Sequence, residues 1–151
     1  MQIPTAHFDA ELARRYNRPG PRYTSYPTAP RFNEAFGEAE LREAAMASNG
    51  DPIPRRLSLY VHVPFCMSPC FYCGCNRIIT RDTTRGDAYL ARLYREIALV
   101  AELFDRDREV IQLHFGGGTP NFLAPAQLAE VVDALRAQFH FSDHRDRDIS
   151  I

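Results

Sequence analysis

Apolar residues recur at two different spacings along this chain, and the switch between them predicts its elements. Tyr89, Leu90, Leu93, Ile97, Val100 and Leu103 return every three or four positions, with Arg and Glu between them. This predicts an amphipathic helix from Asp87 to Phe104. Leu128, Val131, Val132 and Leu135 predict a second helix, from Pro125 to Phe139. The apolar runs Leu57–Val63 and Glu109–Phe115 are short and rich in β-branched and aromatic residues, which predicts strands. Asp148 to Ile151 reads as the opening of a third. The order β-α-β-α-β is the signature of parallel strands joined by right-handed crossovers.

Upstream the pattern is irregular. A short helix is predicted from Phe8 to Tyr16, with Asp9 near its start. A second is predicted from Asn33 to Met46, with Phe36, Leu41 and Ala45 on one side, ended by the turn chemistry of Ser48-Asn-Gly-Asp-Pro52. Between them, Arg18 to Pro30 holds prolines 19, 21, 27 and 30, which forbid regular helix or a central strand. The expected organisation is an irregular, partly helical extension over 1–56 and an α/β domain over 57–151. At roughly 30 residues per βα unit, the second part amounts to about two and a half units of a barrel. The chain therefore reads as the front of a longer protein, and as poorly stable and inactive by itself.

Composition changes this picture little. The chain has 151 residues, 45% of them hydrophobic, and a net charge of −1. No charge excess directs it to nucleic acid or to an acidic membrane. No apolar run reaches the length of a membrane span. All 18 basic residues are Arg, which reads as base composition of the gene. The missing signal sequence and the clustered thiols predict a cytoplasmic protein, taken to be a monomer.

The candidate chemistry lies in two loops, each following a strand. All four cysteines fall in Cys66-Met-Ser-Pro-Cys70-Phe-Tyr-Cys73-Gly-Cys75. Disulfides between such close positions would close tiny, strained rings, and a zinc site normally needs a second, separate knuckle. The spacing favours an iron–sulfur cluster held by one loop. Cys75 is available as a fourth ligand, but only one residue separates it from Cys73, so coordination by Cys66, Cys70 and Cys73 is preferred. One iron of a cubane would then lack a protein thiolate. The second loop, Gly116-Gly117-Gly118-Thr119-Pro120, follows the second strand at the same end of a parallel sheet, where such folds place their ligands. Its glycines would leave backbone bare to a ligand.

These residues resemble the radical S-adenosylmethionine superfamily, whose signature C-x-x-x-C-x-x-C follows the first strand and matches Cys66, Cys70 and Cys73, with Tyr72 before the last cysteine. More closely, Gly20–Thr28, Leu57–Cys66, Cys73-Gly-Cys-Asn76 and His114–Asn121 resemble the family of oxygen-independent coproporphyrinogen III oxidases. The resemblance implies a [4Fe–4S] cluster on Cys66, Cys70 and Cys73. It implies that S-adenosylmethionine binds the open iron and yields a 5′-deoxyadenosyl radical. Coproporphyrinogen III would then be oxidatively decarboxylated to protoporphyrinogen IX, a step of haem biosynthesis, with electrons from a low-potential donor. Tyr60, Gly117, Gly118 and Thr119 would contact S-adenosylmethionine, and Tyr72 its adenine or a second molecule of it. Cys75 would matter without ligating the cluster. The acidic contact that follows the family's third strand would come just after Ile151. The expected fold is the first two and a half βα units of a partial (β/α) barrel of radical S-adenosylmethionine type.

Two other functions fit parts of the pattern. A haem chaperone of the same superfamily would keep the cluster loop, but Cys75 and Gly20–Thr28 speak against it. A plain electron-transfer iron–sulfur module would not need the glycine loop, and no second set of cluster cysteines is present.

Overall fold

In the computed structural model, residues 8–17, 31–71 and 73–151 are described. The chain forms two compact units, 1–37 and 38–151. In the first, helix α1 (Ala10–Tyr16) ends where expected and starts two residues after Phe8, because Asp9 caps it, accepting hydrogen bonds from the Glu11 and Leu12 N–H groups at 2.9 Å each. The segment 18–30, with the Gly20–Thr28 match, lies outside the described residues.

The second unit begins at Glu38, earlier than the expected boundary after residue 56. Helix α2 (Glu38–Asn49) belongs to it because its end is tied to the sheet domain. Asn49 donates to the Leu103 carbonyl (3.0 Å), and Arg108 donates to Ser48 Oγ and Asn49 Oδ1 (2.8 Å each). The helix also starts later than predicted. Asn33 uses its side chain to accept from the Ala35 N–H (3.0 Å), a local bond that favours a turn over a helix start. It then runs through Ser48 and Asn49 before Gly50 ends it. Of the predicted apolar side, Ala45 is buried, while Phe36 and Leu41 are exposed.

The remaining elements are β1 (Leu57–Val63), β2 (Phe65–Cys66), β3 (Ile78–Ile79), α3 (Arg85–Ala101), β4 (Glu109–Gly117), a 3₁₀ turn (Pro120–Phe122), α4 (Pro125–Gln138), β5 (His140–Phe141) and β6 (Asp148–Ser150). All strand pairs are parallel. β1 lies on one side of β4, while β5 and β6 follow one another along its other side. β2 and β3 form a separate small sheet that closes the cysteine loop. The fold is thus mixed α/β with a parallel sheet, as the sequence predicts.

The sheet has two unlike faces. Leu57, Val61, Val63, Val110, Leu113 and Phe115 are buried in one core with Leu90, Leu93 and Ile97 of α3 and Val131 and Leu135 of α4. Burying each such side chain contributes about 1.5–3 kcal/mol. Leu57 pairs with Val110 but Ser58 with Gln112, so Ile111 is an extra residue in β4. That bulge is why Val110 and Leu113, three apart, both reach the core. On the opposite face stand Ser58, Tyr60, His62, Gln112, His114, Asp148 and Ser150. At the start of α4, the Gln127 side chain accepts from the Ala124 N–H (2.9 Å) and donates to Asp87 of α3 (2.8 Å), joining the two helix starts.

Candidate metal centre

β1 delivers the chain to the cysteine loop, and β2 and β3 clamp the loop's two ends. Thr80 N–H donates to the Cys66 carbonyl (2.9 Å), and Ile78 N–H donates to that of Pro64 (2.7 Å). The glycine loop docks on the same place: Gly118 N–H donates to the Val63 carbonyl (2.7 Å), and Thr119 N–H to that of Phe65 (2.8 Å). The two loops that the sequence singles out are therefore joined by backbone bonds.

Cys66 is held at this junction. Only 6% of it is exposed, and its sulfur lies 3.5 Å from the Thr119 hydroxyl, which donates to it. A Cβ at Gly118 would stand 3.0 Å from that sulfur and 2.6 Å from the Phe65 carbonyl oxygen, so only glycine admits this approach. Cys73 is half-buried, and Cys70 and Cys75 are exposed. Cys73 N–H donates to the Cys70 carbonyl (3.3 Å), a turn that folds the middle of the loop. The Cys75 thiol is pushed above its ordinary range, first by the charge of Cys73 and then by a hydrogen bond with it. Cys66 adds to this shift and Arg77 opposes it. Cys66, Cys73 and Cys75 thus share one neighbourhood, whereas the Cys70 thiol makes no hydrogen bond among the described residues. Tyr72 lies outside the described residues.

A four-iron cluster takes one thiolate per iron, so its ligands stand apart around it instead of meeting at a point. Among the described residues no three His, Cys, Asp or Glu side chains converge as they would on a single ion. Four free thiols on one loop, one of them buried at a fixed junction, have the donor chemistry for such a cluster.

Tyr60 and His62 reach from β1 over the glycine loop. The Tyr60 ring stacks on His114 (5.7 Å between centroids, 23° between planes), and the His114 Nδ1 lies 2.8 Å from Ser150 Oγ. The Tyr60 hydroxyl is 3.2 Å from His62 Nδ1, and His62 Nε2 is 2.8 Å from the Asn76 carbonyl. Only a donor satisfies that carbonyl, so Nε2 carries the proton, Nδ1 accepts, and Tyr60 donates. A Cβ at Gly116 would meet the Tyr60 ring at 2.9 Å, and one at Gly117 the His62 ring at 2.8 Å. Gly117 also has φ +102°, a conformation that side chains resist. On the side that a Cβ would take, these two glycines are covered by the chain's own Tyr60 and His62 rings. His62 and Arg77 were not singled out by sequence. For His62 the available signal is a polar residue that alternates with the apolar ones of the strand feeding the loop.

No family model matches the chain. It is 48% identical to the oxygen-independent coproporphyrinogen III oxidase of Pseudomonas aeruginosa over 149 residues, covering 99% of this chain and 32% of that protein. With the protein of the same name from Escherichia coli it shares 46% over 151 residues, 100% of this chain and 32% of the relative. The Mannheimia haemolytica protein of that name is 46% identical over 144 residues, 95% of this chain and 94% of its own length. The chain thus spans about a third of the Pseudomonas and Escherichia relatives and nearly all of the Mannheimia one. The solved structure of coproporphyrinogen III oxidase (HemN) from Escherichia coli, described as a radical SAM enzyme, superposes with a TM-score of 0.77 at 44% identity, over 96% of this chain and 30% of that one. The fold matches part of a radical S-adenosylmethionine enzyme. Within that class, the chain belongs to the oxygen-independent coproporphyrinogen III oxidase family.

Proposed function

We propose that this chain is the cluster-binding and cofactor-binding part of an enzyme that converts coproporphyrinogen III to protoporphyrinogen IX without oxygen. The observation that carries the reading is the junction at Cys66, where the thiol loop and the glycine loop are bonded to each other at the ends of β1 and β4. Cys66, Cys70 and Cys73 hold a [4Fe–4S] cluster. Tyr60, Gly117, Gly118 and Thr119 border S-adenosylmethionine, Tyr72 its adenine or a second molecule, and Cys75 stands close by without ligating. A cluster held there would supply the electron for reductive cleavage of S-adenosylmethionine. The protein's own part is positional: Thr119 and Gly118 fix the Cys66 sulfur, and His62 fixes the loop's return through Asn76. The strands are the first two and a half βα units of a partial barrel whose polar face looks inward. The electron donor is a low-potential carrier, and the setting is the cytoplasm. Among the described residues no helix is long and apolar enough to cross a membrane.

Anaerobic reconstitution of the chain with iron and sulfide tests this. One four-iron cluster per chain is expected, lost in Cys66→Ala, Cys70→Ala and Cys73→Ala and kept in Cys75→Ala, with its electron paramagnetic resonance signal altered by S-adenosylmethionine. Zinc in place of iron would overturn the reading, and loss of iron from Cys75→Ala would overturn the ligand set.

A further inference from the structure

Arg77 sits where the cysteine loop turns back into β3, and both of its neighbours are pinned. The Asn76 carbonyl accepts from His62 Nε2 (2.8 Å), and the Ile78 N–H donates to the Pro64 carbonyl (2.7 Å). The backbone of Arg77 is therefore fixed, although the loop before it is largely exposed. Its side chain is unusual for this protein. The Nε is shielded from solvent and has no hydrogen-bond partner, and no carboxylate pairs with the guanidinium among the described residues. By contrast, Arg42 pairs with Glu38, Arg56 with Glu109, and buried Arg108 donates to three neutral acceptors.

A desolvated donor without an acceptor costs about 1–3 kcal/mol, more when it is charged. Such a cost persists where another partner offsets it. The nearest chemistry-bearing groups along the chain are thiols: Cys75 lies two residues before Arg77 and Cys73 four before it, on the same loop. Three thiolates on a four-iron cluster make an assembly of net negative charge, and reduction by one electron makes it more so. Arg is the suitable cation for a shielded position, since its guanidinium is weakly hydrated and stays protonated.

We infer that Arg77 is a positioning residue, the fixed counter-charge of the iron–sulfur–thiolate assembly, and that it makes the cluster easier to reduce. This rests on the cluster reading above. A cation held at that place favours the more negative, reduced state and so raises the reduction potential, one of the levers by which proteins tune such clusters. It also opposes escape of iron by lowering the repulsion among the thiolates.

The test is anaerobic reconstitution of the chain and its Arg77→Gln and Arg77→Lys variants. Iron content, reduction potential and iron loss to a chelator are measured without S-adenosylmethionine. Equal iron content, a lower potential and several-fold faster iron loss in Arg77→Gln, both largely restored in Arg77→Lys, are the expected results. An Arg77→Gln cluster with unchanged potential and retention would overturn the inference while leaving the cluster reading intact. So would an effect that appears only when S-adenosylmethionine is added, which would assign Arg77 to that molecule's carboxylate. Should Arg77→Gln take up no iron, loading by Arg77→Lys upholds the role of charge, and failure of both variants overturns it. Absence of iron from the unmodified chain would overturn the cluster reading and this inference together.

Discussion

The Tyr89 hydroxyl donates to the His62 carbonyl (2.8 Å) from the start of α3, and its ring meets Phe65 edge-on at 5.7 Å. Its pKa is pushed from 10 up to about 12, first by burial and then by the charge of Glu96. The folded value lies above the unfolded one, so the stabilisation is fully present below pH 10 and is lost as pH rises through about 12. Denaturation series across that window should show stability falling more steeply for the native chain than for Tyr89→Phe. Parallel curves would remove Tyr89 from the account. At this scale the sequence was most legible where chemistry is dense. The four thiols and the glycine run announced themselves, and so did the Cys66, Gly118 and Thr119 that the structure brings together. His62 stayed hidden because its role comes from a contact made across the loop, which spacing does not encode.

Elements with long periodic patterns were legible nearly to their ends. β1 was legible to the residue, α4 within one and α3 within a turn, since each repeats an apolar spacing long enough to be unambiguous, and the three-residue β6 was legible within one from its place in the βα order. β2, β3 and β5, two residues each, have no period to read; they exist because neighbouring strands offer them a bonding edge. The attachment of α2 was also invisible, because it depends on one side chain distant in sequence. Arg108, 8% exposed, donates to the Arg55 carbonyl through Nε and Nη2 (3.1 and 2.7 Å) and to Ser48 and Asn49, with its guanidinium over the Phe104 ring. Hydrogen bonds to a charged donor contribute about 1.5–3 kcal/mol, so Arg108→Ala should lower stability by about 2–3 kcal/mol. Arg108→Lys should restore little of this, lacking the planar fork. Urea midpoints of the three proteins check it, and an unshifted midpoint for Arg108→Ala would mean that α2 is held otherwise.

Across the whole molecule, stability is concentrated between β1 and β4. Their paired register runs from Leu57–Val110 to Val63–Gly117 over the helix-packed core, whereas β5 and β6 add only two and three residue pairs. Hydrogen exchange should therefore be slowest at Val61, Val63, Leu113 and Phe115 and orders of magnitude faster in β6, because opening free energies follow local burial. Uniform protection over all strands would contradict this. The parallel α/β plan was legible from element order alone. The contrast between the sheet's two faces was only half legible: Ser58, Tyr60 and His62 alternate with apolar residues in β1, but the Ile111 bulge breaks that alternation in β4.

The three consecutive glycines are constrained to different degrees, and this bears on how such a sequence can drift. Gly116 is held by two side chains, the Tyr60 ring (2.9 Å) and the His114 ring (3.1 Å), so smaller or shifted residues at 60 and 114 together would release it. Gly118 is required by the Phe65 backbone, which no exchange of side chains can move aside. Gly117 is bound twice, by the His62 ring and by its own φ of +102°, so shrinking His62 would lift only one of its two constraints. Among descendants of one ancestor, position 116 would be expected to vary in step with positions 60 and 114, while 117 and 118 stay glycine whatever surrounds them.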